Sequence, residues 1–179
     1  MRIGTKSLLF GYHQFILHPI FVTMAWKKLY NRWPSFKELC GIIVHDWGYW
    51  GKCDMDGAEG ETHPELGAYI MQRLFDPCEN GIYKQDTWKN FSLHHSKRYA
   101  DKYGDALSEL YWPDKYSFVL MPNWLIILAD KLTHEFDEYR SVEQPITGTY
   151  KSDNLSDYID YVKIKTFDML KKKFDFLKD

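Results

Sequence analysis

The segment "VHDWGYWG", residues 44–51, sets a histidine and an aspartate side by side directly after the apolar run "LCGIIV". Ionisable groups are normally kept out of such runs. The pattern recurs along the chain. His18 precedes "PIFVTMAW", His63 precedes "PELGAYIM", His94 and His95 follow "FSL", and Asp130 follows "LIILA". Each such residue alone reads as a satisfied core histidine or a helix-end carboxylate. Together they demand compensation, because burying several imidazoles and two carboxylates without partners costs on the order of several kcal/mol per charge. A shared cation supplies it. Imidazole nitrogens and carboxylate oxygens without thiolates suit Mn, Fe, Co, Ni or Zn rather than calcium. A mononuclear catalytic site takes about three protein ligands and leaves a position open. Two divalent transition-metal ions bridged by one carboxylate would use the whole set.

The elements that must carry these side chains read as helices. Residues 18–31 present Phe21, Val22, Met24, Ala25, Trp26, Leu29 and Tyr30 as a broad apolar face that stops at "NRWPS". Pro34 and Ser35 mark a new start, and a second helix runs from Ser35 into the His45-Asp46 pair. In "THPE", Thr62 is placed to cap a helix, with Glu65 completing a capping box and Pro64 in the first turn. Further helices are expected over residues 85–102, 122–139 and 155–177, the last amphipathic through Ile159, Val162, Phe167, Leu170, Phe174 and Leu177. "GKCDMDGAEGE" and "EQPITGTYKS" read as loops. Strand-like alternation is nearly absent. The expected fold is an all-α, single-domain bundle of about six to eight helices over residues 1–179, with 155–177 peripheral.

Composition narrows the function classes. The chain has 179 residues, 45% of them hydrophobic, which is enough for one domain with a substantial core and too little for two. A formal charge of −2 excludes a general binder of duplex nucleic acid, whose affinity rests on neutralising many phosphates. Three cysteines without CxxC spacing argue against a disulfide framework and a thiolate zinc site, and point to a reducing cytoplasm. The apolar N-terminus is interrupted by Tyr12, His13, Gln14, His18 and Pro19, which favours a buried helix over a membrane anchor.

The order His18, His45-Asp46, His63, His94/His95, Asp130 resembles the HD-domain superfamily of metal-dependent phosphohydrolases, whose signature is H…HD…D, with two intervening histidines in its dinuclear members. The likeness covers roughly residues 12–140. "HPIFVTMA" is similar to the superfamily's first-helix pattern, "GIIVHDWG" to its HD turn, "HPELGAYI" to the third motif of the dinuclear members and "LIILADKL" to the closing aspartate helix. The resemblance implies that His18, His45, Asp46 and Asp130 hold one metal. Asp46 would bridge to a second, held by His63 and one or both of His94 and His95. His13 competes with His18 for the first role.

Two metals would lower the pKa of a bridging water and polarise a phosphoryl oxygen. The expected activity is hydrolysis of a small phosphorylated substrate, a nucleotide or other phosphoester, by a metal-bridging hydroxide. Lys97, Arg98, Lys131 and Lys52 are candidate phosphate contacts, and His13 is a candidate for the leaving-group proton. Tyr49 stands where many dinuclear phosphodiesterase members carry lysine, and no GYP segment follows His94-His95, which argues against a cyclic-di-GMP role. Trp47, Tyr49, Trp50 and Tyr99 could stack on a base or fill the core. In "DMDGAEGE", Asp54, Asp56 and Glu59 lack EF-hand spacing. The rival reading uses the same ligands: a mixed-valent diiron oxygenase, which "HSKRYA" somewhat resembles, or a ligand-binding protein without turnover.

Overall fold

The computed structural model describes residues 1–141 and 154–175, so the loop expected over 143–152 lies outside the described residues. The chain forms ten α-helices there: α1 (Ile3–Phe10), α2 (Leu17–Tyr30), α3 (Phe36–Val44), α4 (Pro64–Phe75), α5 (Thr87–Leu93), α6 (Lys97–Tyr103), α7 (Tyr111–Leu120), α8 (Asn123–Thr133), α9 (Glu135–Ser141) and α10 (Leu155–Lys173). Two 3-10 turns, Trp47–Tyr49 and Gly60–Thr62, flank the acidic loop. A two-residue antiparallel hairpin, β1 (Cys78–Glu79) with β2 (Ile82–Tyr83), is the strand content of the described residues. The fold is all-α, with more and shorter helices than expected.

Local chemistry explains where the helices break. Ser35 caps α3 with a complete capping box, its hydroxyl accepting from the Glu38 amide while the Glu38 carboxylate accepts from the Ser35 amide. The same carboxylate forks onto Arg32 with two bonds of 2.7 Å. The helix expected over 85–102 is interrupted at "HHS", giving α5 and α6, and the one over 122–139 is cut at His134, which adopts a left-handed φ of 59°. Thr62 does not cap α4. Its residue lies in the preceding turn and its hydroxyl donates to Glu59, leaving His63 at the cap position and Pro64 as the first helical residue.

Helix α2 runs through the centre, with Val22, Ala25 and Trp26 wholly buried, and packs on α7 and α3; α4 packs on α5 and α3. The C-terminal helix is not peripheral. It packs on α7 and α8 and buries Tyr158, Ile159, Thr166 and Leu170. Ile159 and Leu170 are fully buried, and each contributes about 1.5–3 kcal/mol by leaving water. Among the described residues no helix is long and apolar enough to cross a membrane.

Candidate metal centre

Five helices deliver the ionisable side chains to one place, Asp114 coming from α7. His18 lies in the first turn of α2, where Pro19 needs no amide donor. His45 ends α3 and Asp46 precedes the 3-10 turn; His63 precedes α4; His95 follows α5. Two glycines allow the close approach. A Cβ on Gly48 would stand 2.0 Å from the His63 carbonyl oxygen, and one on Gly67 would stand 2.8 Å from the Val44 carbonyl oxygen. Gly48 thus serves through its missing side chain.

A single device orients three of the imidazoles. His45 Nδ1 lies 2.8 Å from the Ile42 carbonyl oxygen, His63 Nδ1 lies 2.8 Å from that of Gly60, and His95 Nδ1 contacts that of Ser92. A carbonyl only accepts, so each Nδ1 carries the hydrogen and each Nε2 is left to face inward. The inward nitrogens form two groups around Asp46. On its Oδ2 side, His18 Nε2 and His45 Nε2 each lie 3.1 Å away, and Asp114 Oδ1 is 3.2 Å from His18 and 3.6 Å from His45. On its Oδ1 side, His63 and His95 Nε2 lie at 3.6 and 3.5 Å, and 3.2 Å from each other. All of these side chains are buried except His63, which is partly so.

This arrangement calls for positive charge. A neutral His45 would turn its Nε2 lone pair on a carboxylate oxygen, Asp46 Oδ2 is buried without a hydrogen-bond partner of ordinary geometry, and His18 Nδ1 is likewise orphaned. Burial disfavours the charged forms, but the pairing outweighs it. Asp46 and Asp114 push His45 up to about 10 and also raise His18. Against the same burial, His45, His18 and His95 hold Asp46 well below the usual carboxylate range, and Lys115, His18 and His45 do so for Asp114. For His63, burial dominates and lowers its pKa well below the ordinary value, keeping the ring neutral and able to ligate. The residues His18, His45, Asp46 and Asp114, and the residues Asp46, His63 and His95, are each close enough to hold a metal ion. Four imidazole nitrogens and two carboxylates, with no thiolate, fit a first-row divalent ion.

Several expected residues stand elsewhere. Asp130 is buried on α8, but its Oδ1 accepts from the Phe136 amide at 2.9 Å, closing the turn after the helix; Asp114 takes the place by the histidines. The aspartate was legible in principle, since Leu110, Asp114, Ser117, Phe118 and Met121 repeat at helical spacing and are all buried. His94, a quarter turn from His95, points away and lies 3.6 Å from Asp105. Burial lowers its pKa. Lys97 pairs with Asp101 at 2.9 Å and Arg98 with Glu61, both at the surface. Lys52 donates to Thr62 at 2.6 Å, and Lys131 is exposed on α8. The buried Tyr49 ring lies flat on His63, with centroids 4.0 Å apart, and so supports a metal-facing imidazole rather than a substrate. Asp54 and Glu59 accept from the Gly60 and Cys53 amides, so these carboxylates close their own loop.

His13 does not enter either group. It borders a cavity together with Asp114 and Lys115, and its Nδ1 lies 3.0 Å from Ser7 Oγ. Ser7 gives its only hydrogen to the fully buried Glu135, so its lone pair receives the His13 Nδ1 hydrogen and His13 Nε2 is left as the exchanging nitrogen. Ser7 and Glu135 gave no sign in the sequence, because each is a single polar residue whose partner lies more than a hundred positions away. Lys115 was missed with Asp114; its ammonium sits 2.9 Å from Asp114 Oδ2.

No family model matches the chain, and no curated protein or solved structure matches it.

Proposed function

We propose that the protein is a metal-dependent phosphohydrolase of the HD type, acting on a small phosphoester such as a nucleotide. One observation carries this reading: the two oxygens of Asp46 each face a separate pair of imidazoles, the geometry of a carboxylate shared between two ions. The order His18, His45-Asp46, His63, His95, Asp114 supports the H…HD…D resemblance, with α7 rather than α8 supplying the last aspartate. Bound there, two divalent first-row ions would polarise a phosphoryl oxygen and make water nucleophilic near neutral pH.

The chain's own groups supply the rest. Lys115, half-exposed at the cavity beside Asp114, is placed to neutralise phosphate charge, in the role first expected of Lys131. His13, held through Ser7 by Glu135, turns Nε2 to the cavity, where in its imidazolium form it would give the leaving oxygen its proton. Burial of the cluster keeps bulk water away and strengthens every charge interaction within it.

The test is elemental analysis of the purified protein, followed by a screen for phosphate release from nucleotides and simple phosphoesters under anaerobic conditions with manganese or nickel. About two metal equivalents and release of phosphate or a monophosphate are expected. Oxygen consumption with a coupled diiron signal and no anaerobic phosphate release would replace this reading with an oxygenase. A metal-loaded protein that does neither would be a ligand-binding member.

A further inference from the structure

Beside the cluster lies a partly open cavity of about 170 Å³ lined by α7, α9 and α10, with His13 at its edge. Its two ends differ in chemistry. Asp114, Lys115 and His13 form its charged end, where Asp114 also reaches His18 and His45, and Phe118, Phe136, Tyr158 and Val162 line the rest. Water gains little from such walls, whereas a cavity of about 150 Å³ lined by apolar side chains accepts one benzene-sized ring. The walls also stand on packed helices rather than loops: Phe136 and Tyr158 belong to the core built by α8, α9 and α10, and Phe118 packs with them. The volume is therefore preformed. It suits one ring, the base of a nucleotide or the ring of a simpler phosphoester, with the charged part lying outside it.

We propose that this cavity seats the organic part of the substrate, accepting one ring-sized apolar group whose phosphate meets Lys115 and the Asp114 side of the cluster. The proposal rests on the phosphohydrolase reading for its phosphate, and on the cavity alone for its ring. It makes the C-terminal helix, which lies outside the HD resemblance, the part that selects the substrate: Val162 and Tyr158 face the ring from α10. Burying one ring predicts a preference of at least about tenfold for a benzyl over a methyl ester, two esters with leaving groups of similar acidity.

The experiment compares benzyl phosphate with methyl phosphate, whose leaving alcohols are alike in acidity, on the manganese-loaded full chain, and measures binding of the non-hydrolysed analogue phenylphosphonate against methylphosphonate by ligand-observed NMR. The expected results are a benzyl-to-methyl ratio in kcat/KM of about ten or more, and tighter binding of the phenyl analogue. Val162→Trp, which fills the cavity, should bring both ratios close to one while circular dichroism stays helical. Val162→Ala, which enlarges it, should improve 1-naphthyl phosphate relative to phenyl phosphate. Ratios near one in the wild type, or unchanged ratios in a folded Val162→Trp with no naphthyl gain in Val162→Ala, would overturn the proposal. Phosphate release from neither ester would overturn the hydrolase reading alone, and the phosphonate comparison would then decide for or against the cavity.

Discussion

Asp114 on α7 and Asp130 on α8 share an outline while differing in the residues that precede them. Each is buried, each lies on the inner side of an apolar helix, and each is followed by a lysine. Their surroundings are opposite. Asp114 faces two imidazoles and an ammonium, whereas Asp130 faces the Phe136 amide and the carboxylates of Asp137 and Glu135. The two carboxyls accordingly move in opposite directions: burial raises both, but Lys115, His18 and His45 overcome it at Asp114, while burial prevails at Asp130. One Asp-Lys pair lies beside the buried imidazoles, and the aspartate of the other closes a turn. Buried acidity alone therefore does not identify a ligand; the charge that faces it does.

The comparison can be broken most decisively at the residue both metal groups share. Asp46→Ala should remove all bound metal by elemental analysis and abolish turnover while leaving helical circular dichroism intact, and retained metal would mean that neither group is a site. Next in size, Asp114→Asn should lower metal occupancy and cut activity by roughly 10²-fold or more, since even groups behind a ligand are worth 10–100-fold. Asp130→Asn should leave both at wild-type levels. A reversal of those two results would restore Asp130 as the ligand.

The neighbouring lysines give a smaller contrast. Lys115→Ala should raise KM for a phosphoester by about tenfold, the worth of one charge-assisted hydrogen bond, and Lys131→Ala should leave it unchanged. Smaller again, Asp130→Ala should cost about 1–2 kcal/mol by orphaning the Phe136 amide, read as a drop of a few degrees in Tm without loss of metal.

Titration sharpens the same contrast in the metal-free protein. Asp114, lowered in the folded state, stabilises the fold above its unfolded value of about 3.9, and that stability is lost as pH falls through the folded value. Asp130, raised in the folded state, acts in the other direction: stability declines as pH climbs from about 3.9 through its folded value. His45, raised to about 10, contributes stability below its unfolded value of about 6.5 that is lost as pH rises towards 10. Carboxyl NMR should find Asp114 titrating well below Asp130, and equal midpoints would mean that the two environments are alike.

Much of the site was legible because its ionisable residues interrupt apolar runs. His18, His45, Asp46, His63 and His95 are all named by that rule, and the structure draws them within reach of one another. The rule could not separate His94 from His95, since adjacent residues at a helix end share a sequence context and differ only in direction. It favoured Asp130 because "LIILA" is an uninterrupted apolar run, while Asp114 sits in "YWPDKYSF", where polar and aromatic residues mask the buried stripe. Helix count was understated where a left-handed His134 and the "HHS" break leave the apolar periodicity almost unaltered. The C-terminal helix read as an addition, yet it closes both the core and the cavity.

The sequence by itself determined that this chain is helical and which chemical groups it must bury, because periodicity and side-chain type are local properties. Only the tertiary structure decided which aspartate joins the histidines, which imidazole of a pair turns inward, and that α10 walls a ring-sized cavity beside them. Those outcomes depend on contacts between residues far apart in the chain, where burial is encoded but the partner is not.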